Sequence, residues 1–229
     1  MAATLTSPVR TTHRGLVLSE HREVRVEGFT LIEMLVVIVI LGILMSLAVV
    51  GVTAAMRSSK VTRTEAMIEG LGGACEQYQI QWGDYPPTTL AEFKITMPNE
   101  TNNGAEALTA CLASNRKGPQ LLSSIKDDMY VNIDRDTAST NITGWFFGDC
   151  DLREISDAWG YPIIYFHAKD YQRASASLKR YKFDVGGQEY NVEPARSANT
   201  RTFLRSSKFQ IMSVGPDGKP GTADDIQLR

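Results

Sequence analysis

The sequence predicts an α+β chain: a long N-terminal helix, apolar in its first half and amphipathic in its second, packed on a small antiparallel sheet. Three observations carry this. Between Glu33 and Arg57 lie 23 residues, Met34 to Met56, without a single charge. Beyond them Val61, Ile68, Leu71, Cys75, Tyr78 and Trp82 recur at spacings of three, four and seven, the stripe of a helix with one buried face. Past Trp82 that periodicity gives way to short β-branched and aromatic runs bounded by Gly, Pro and Asp, which read as strands.

The apolar run sets the organisation. A hydrocarbon core of about 30 Å needs about 20 apolar residues at 1.5 Å rise, and Met34–Met56 meets that with no polar face. The 28 residues before Phe29 carry Arg10, Arg14, Arg22 and Arg25, and the bulk of the chain follows the span. That asymmetry favours an N-terminus inside and a C-terminal domain outside. The run is too long for the apolar core of a secretory signal, and no A-x-A site follows it. Glu33, alone before the run, has two readings. It is an interfacial charge that suits a helix N-terminus, or a costly carboxylate kept for a partner.

The stretch Gly28-Phe29-Thr30-Leu31-Ile32-Glu33, followed by the uncharged run, resembles the processing site of type IV pilins and type II secretion pseudopilins. The resemblance implies cleavage after Gly28 by a prepilin peptidase, N-methylation of Phe29, and removal of residues 1–28 as a cytoplasmic leader. Residues 29–56 would then serve as transmembrane helix and filament core. Glu33 would pair with the N-terminal amine of a neighbouring subunit, since ammonium and carboxylate are each costly alone in low dielectric. Members of that family often carry a proline at the position of Val50. This helix has none, and Gly42 and Gly51 are its soft points.

After Met56, Arg57, Lys60, Arg63, Glu65, Glu69 and Glu76 fill the face opposite the apolar stripe. Gly70, Gly72 and Gly73 suggest a close backbone approach. Gly83-Asp84-Tyr85-Pro86-Pro87 ends the helix, and pseudopilins show a similar Gly-x-Tyr-Pro there. Residues 57–229 form the expected globular head, pilin-like by the resemblance, with an inserted loop region at 97–150. Within that region Ala105–Ala113 reads as a short helix stopped by Lys117-Gly118-Pro119, with Leu121-Leu122 docking on the core. Asp127, Asp128, Asp134 and Asp136 are oxygen donors for a second cation or plain turn formers. Asn99-Glu-Thr101 and Asn141-Ile-Thr143 match glycosylation acceptors but are discounted in the bacterial setting that the resemblance implies.

Strands are expected at Ile163–Phe166, around Lys179–Val185, and at Phe209–Val214, with Ile211 facing the helix. Asp157-Ala158-Trp159-Gly160-Tyr161-Pro162 before the first strand resembles an element of the major pseudopilin of type II secretion systems. The resemblance covers the N-terminal helix and the C-terminal part of the chain, not the region at 97–150. The ending, Ser213 to Ile226, sets Asp217, Asp224 and Asp225 among glycines and prolines. Calcium takes six to eight hard oxygens, which carboxylates and carbonyls of a curled loop supply. The alternative is a solvated acidic turn. The spacing is not that of an EF-hand, and Gly218-Lys219 followed by Pro220 is not a phosphate loop. The three aspartates match acidic positions of the pseudopilin calcium loop, which implies one Ca2+ held by Asp217, Asp224, Asp225 and the Val214 backbone carbonyl.

Composition narrows the function. With 26 acidic and 24 basic residues there is no basic field for nucleic acid. Lys179-Arg180-Tyr181-Lys182 is the one basic aromatic run, and a solvated strand face explains it. Cys75, Cys111 and Cys150 lack paired spacing for zinc; one disulfide such as Cys111–Cys150 or three small buried hydrophobes are both open. His167 is the one histidine after Glu33, and neither GxSxG nor HExxH occurs. The expectation is therefore no enzyme but a structural subunit: a pseudopilin of a type II secretion system, single-pass in a bacterial inner membrane with a periplasmic head. The implied partners are other copies in a helical filament, prepilin peptidase, minor pseudopilins, and an assembly platform with its ATPase. The alternatives are a type IV pilin for adhesion, motility or DNA uptake and, more remotely, a membrane-anchored enzyme.

Overall fold

In a computed structural model, which describes residues 28–114, 121–122, 125–138, 149–172 and 178–228, the chain divides into a unit ending at Ala48 and a second from Val49 onward. The expected leader other than Gly28, the Lys117-Gly118-Pro119 stop and Asn141 lie outside the described residues. Helix α1 (Leu31–Trp82) supplies the described secondary structure of the first unit and the first element of the second.

In the first unit every described side chain is exposed, including Leu35, Val36, Ile38, Val39, Ile40 and Leu47 around all sides of the helix. No face is polar, so no amphipathic packing orients it. It is long and apolar enough to cross a membrane.

The second unit builds its core on the other half of α1. Thr64, Met67, Ile68, Leu71, Ala74, Cys75 and Tyr78 are buried, the i, i+3, i+4 stripe that the spacing predicts. Against it lies an antiparallel three-stranded sheet in the order β3 (Ile164–His167), β6 (Phe209–Ser213), β7 (Ile226–Gln227). Tyr165 stands opposite Ile211 and His167 opposite Phe209. Side chains alternate across the strands: Tyr165, Phe209 and Ile211 join Ile68, Leu71, Cys75 and Tyr78 in one cluster. Ile164, Phe166 and Met212 point the other way into a second cluster with Tyr181 and Phe183. Both faces are buried, which is why these strands read as continuous apolar runs. Each Leu, Ile or Phe so buried contributes about 1.5–3 kcal/mol.

The second cluster is covered by the hairpin β4 (Arg180–Lys182) and β5 (Glu189–Asn191), shorter than expected because Gly186, at φ 80°, turns the chain. A further pair, β1 (Tyr130–Val131) and β2 (Glu154–Ile155), closes the opposite end of the 97–150 region. That region also holds helix α2 (Asn103–Ala113), all eleven residues of which are buried. Leu108, Cys111 and Leu112 lie in the α1 cluster, and Leu122 is buried beside them. At Gly104 any Cβ would overlap the Tyr165 carbonyl and the Tyr181 hydroxyl, so glycine sets how closely α2 approaches β3.

One expectation is corrected and one open reading is resolved. Gly72 admits a side chain, not a backbone: a Cβ there would sit 2.8 Å from Leu228 Cδ2, while Gly70 and Gly73 meet nothing within 4 Å. All three cysteines are free, Cys75 and Cys111 buried, so a Cys111–Cys150 disulfide is not formed. Burial pushes the Cys111 thiol up to about 12, the behaviour of a small core hydrophobe.

Candidate functional site

The N-terminal residues form a reciprocal cap. Thr30 donates to Glu33 Oε2 from its amide (2.8 Å) and from its hydroxyl (2.6 Å), and the Glu33 amide donates back to Thr30 Oγ1 at 3.3 Å. This is a Thr-x-x-Glu capping box, legible in the sequence as a start signal, and it satisfies amides that no turn of helix precedes. Gly28 and Phe29 lie before it, both exposed, with Phe29 78% accessible.

The C-terminal loop begins where β6 ends. Gly215–Asp217 form a single 3-10 turn, and Gly215 at φ 64° lies so close to the Asp224 carbonyl that a Cβ would overlap it. The buried Val214 and the chain at Asp224 are therefore neighbours, as a curled loop requires. The three aspartates are engaged within the loop. Asp217 Oδ1 accepts the Lys219 amide at 2.9 Å, Asp224 Oδ2 the Asp217 amide at 3.3 Å, and Asp225 Oδ2 the Gly221 amide at 2.8 Å. Thr222 donates its hydroxyl to Asp224 Oδ1, which holds that carboxyl below its ordinary range. Asp225 is the exception. Its Oδ1 is buried without a partner, and burial first, then the charges of Asp224 and Asp217, push its carboxyl up. A cation at that oxygen would relieve both, although among the described residues the carboxylate oxygens that converge closely enough to share one ion are those of Glu106, Asp134 and Asp136, not those of this loop.

Asp157 joins this loop to the Trp-Gly turn. Its Oδ1 accepts the amides of Trp159 (2.8 Å) and Tyr161 (3.0 Å), and its Oδ2 accepts the Ser213 hydroxyl at 2.6 Å. The Gly215 amide donates to Ser213 Oγ at 3.0 Å, and the Ala158 amide to Thr64 Oγ1 of α1 at 3.3 Å. Tyr161 packs under the loop, its ring 2.8 Å from where a Cβ on Gly218 would stand. One buried carboxylate thus ties helix, turn and loop base together.

A second acidic set was only half visible in the sequence. One carboxylate oxygen from each of Glu106, Asp134 and Asp136 lies within 4.8 Å of the others. Asp127 and Asp128, expected beside them, are exposed on a 3-10 turn (Asp127–Met129) and belong to no such set. The Asn99 side-chain amide donates to Asp134 Oδ2 (2.8 Å) and Asp136 Oδ2 (2.9 Å). Glu154 on β2 accepts from Asn102 Nδ2 at 2.7 Å and from the Ile133 amide at 3.2 Å. Burial raises all of these acids, alone for Asp134 and together with neighbouring carboxylates for the others: Glu106 well above its ordinary value, Asp136 to about 7 and Glu154 to about 8.

His167 does not form a catalytic pair with a nucleophile. Its Nδ1 accepts the Lys169 amide at 3.0 Å and its Nε2 faces Asp84 Oδ1 at 3.2 Å, while Lys169 also pairs with Asp84. The Thr88 hydroxyl donates to Asp170 and accepts the His167 backbone amide. Nε2 thus latches the end of β3 to the Gly-x-Tyr-Pro turn through Asp84, while Nδ1 caps the short 3-10 turn that follows the strand.

Comparisons with known proteins meet the N-terminal residues. Residues 25–49 match the family described as "Prokaryotic N-terminal methylation motif". Type II secretion system core protein G of Pseudomonas aeruginosa is 43% identical over 61 residues, 27% of this chain. The chain spans 43% of the length of that relative. No solved structure matches. In its N-terminal motif and in this partial match, the chain is similar to pilins and pseudopilins, with a structural part rather than a catalytic one as the role that similarity suggests.

Proposed function

We propose that this chain is a structural subunit of the pseudopilus of a type II secretion system, cut after Gly28 and methylated on Phe29. The observation that carries the reading is Gly28-Phe-Thr-Leu-Ile-Glu33 opening a helix with no charge from Met34 to Met56, inside the residues that match the methylation motif. In this reading residues 29–56 hold the subunit in the inner membrane with the head in the periplasm, then bundle with other copies in the filament core. Glu33, which caps its own helix through Thr30, would exchange that cap for the methylated amine of a neighbour. In the filament core the pairing matters because a buried ammonium and a buried carboxylate are each costly when left alone. Withdrawing so apolar a segment from lipid costs far more than thermal energy, so an ATP-driven platform and minor pseudopilins are the expected partners.

One calcium held by Asp217, Asp224, Asp225 and the Val214 carbonyl would stiffen the loop against Tyr161 and the sheet. The unpartnered Asp225 Oδ1 supports this.

Mass spectrometry of the chain purified from membranes tests the processing. A chain beginning at N-methylated Phe29 is expected, and an intact leader overturns the pilin-like reading. For the loop, chelation should lower the melting temperature of wild type more than that of Asp224→Ala. Equal responses overturn the loop site. The secretion role itself predicts that deleting the gene abolishes export through the secretion system; loss of surface pili with export intact would make the chain a type IV pilin instead.

A further inference from the structure

Four buried oxygens on three side chains have no hydrogen-bond partner: both of Glu106, Oδ1 of Asp134 and Oδ1 of Asp136. Glu106 is fully buried, at 0% exposure, in the first turn of a helix with no basic residue in it. An unpaired buried carboxylate costs several kcal/mol, and folds do not keep one without a counter-charge or a proton. A proton would cover one oxygen of the four. A divalent cation would draw on one oxygen from each of the three side chains at once, since these lie within 4.8 Å of one another.

The surroundings are built to aim these oxygens. Asn99 takes the outer oxygen of each aspartate with one amide, at 2.8 and 2.9 Å, which fixes both carboxylate planes. Asn132 clamps the turn that bears them: its Nδ2 donates to the Asp136 carbonyl (2.8 Å), and its Oδ1 accepts the Asp136 amide (3.1 Å). Arg135 between them adopts φ 62°, turning the chain back on itself. On the other side Glu154 grips Asn102 at the head of α2 and Ile133 of the same turn, so helix and turn are held at a fixed separation. Glu154 spends both oxygens on these donors and is a positioning residue, not a ligand. Every ligand is a hard oxygen, which suits calcium, whose remaining positions carbonyls or waters fill. Magnesium dehydrates reluctantly, and zinc wants His or Cys, of which this set has none.

We infer that Glu106, Asp134 and Asp136 form a second calcium site, which pins helix α2 to the turn after β1 and so ties together two parts of the 97–150 region that are distant in sequence. The inference does not rest on the pseudopilin reading or on the C-terminal loop.

The test uses the full chain in detergent micelles, stripped with chelator and titrated calorimetrically with calcium chloride. In a loop variant carrying Asp217→Asn, Asp224→Asn and Asp225→Asn, one calcium per chain is expected to bind. Adding Glu106→Gln, which keeps the shape and removes the charge, should reduce that to none. Asp136→Asn on the same background reads the same loss should Glu106→Gln fail to fold. No binding to the loop variant, or one equivalent retained after both Glu106→Gln and Asp136→Asn, overturns the site.

Discussion

The C-terminal loop and the pocket around Glu106 both gather carboxylates, but those carboxylates meet different partners. In the loop they lie at the surface, and backbone amides four or fewer residues away serve most of them. In the pocket they come from the helix α2 and a distant turn, and four oxygens are buried with nothing to accept from. A loop of local hydrogen bonds in high dielectric holds its shape cheaply and gains modestly from an ion. A buried pocket is under electrostatic stress until something positive enters it. The difference teaches that acidic composition locates the easy site, whereas burial locates the demanding one.

Gly104→Ala should separate the two regions most sharply. The new methyl overlaps the Tyr165 carbonyl and the Tyr181 hydroxyl, and neither β3 nor the tyrosine, which donates to Tyr165 O at 3.0 Å, is free to give way. Overpacking of this kind costs about 3 kcal/mol. For a chain of this size that lowers the melting temperature by roughly 6–12 °C. Because α2 carries Glu106, the pocket should also lose its calcium response while the loop retains its own. A calcium titration of the variant that shows both sites weakened alike would break the comparison.

Asp157→Ala should act the other way round, at the foot of the loop. It strands the amides of Trp159 and Tyr161 and the Ser213 hydroxyl, at a cost of about 2 kcal/mol. Asp157→Asn keeps one carbonyl acceptor for the two amides and should recover part of that. Denaturant melts of the two variants check the ranking. Calcium affinity should fall at the loop, whose base Ser213 no longer fixes, and be unchanged in the pocket.

The sequence made the frame legible and the pocket only in part, offering Asp134 and Asp136 but not Glu106, for physical reasons. The stripe from Ile68 to Tyr78 and the apolar runs of β3 and β6 are periodic, and periodicity is local. The C-terminal loop was readable as a curled acidic segment because its donors and acceptors lie within one short stretch, although what it binds was not. Thr30 and Glu33 form a cap that the Thr-x-x-Glu spacing announces. Glu106, by contrast, sits in Ala-Glu-Ala-Leu-Thr-Ala-Cys-Leu-Ala, where a lone glutamate reads as the solvent face of a short surface helix. Nothing local says that α2 is covered on every side. Its burial follows from Gly104 against β3 and from Leu108 and Leu112 against α1, contacts made across the chain. The one clue was the helix itself, whose run from Ala105 to Ala113 is small or apolar except at Glu106 and Thr109.

The smallest effect is expected at Asp225, and it depends on the medium. With calcium removed, Asp225→Ala gives up the Gly221 amide bond but also removes a buried unpartnered oxygen and its repulsion with Asp224 and Asp217. These contributions oppose one another at a half-exposed site, so stability should change by no more than about 0.5 kcal/mol. With calcium at ten times its dissociation constant, the wild-type loop gains RT ln(1 + [L]/Kd), about 1.4 kcal/mol, and the variant does not. Paired melts in chelator and in calcium therefore give a difference for wild type that the variant lacks. If Asp225→Ala costs as much in chelator as in calcium, its role is to hold the Gly221 turn. The loop would then be the self-sufficient acidic turn that its local hydrogen bonds allow, leaving the pocket around Glu106 as the place where this head needs a cation.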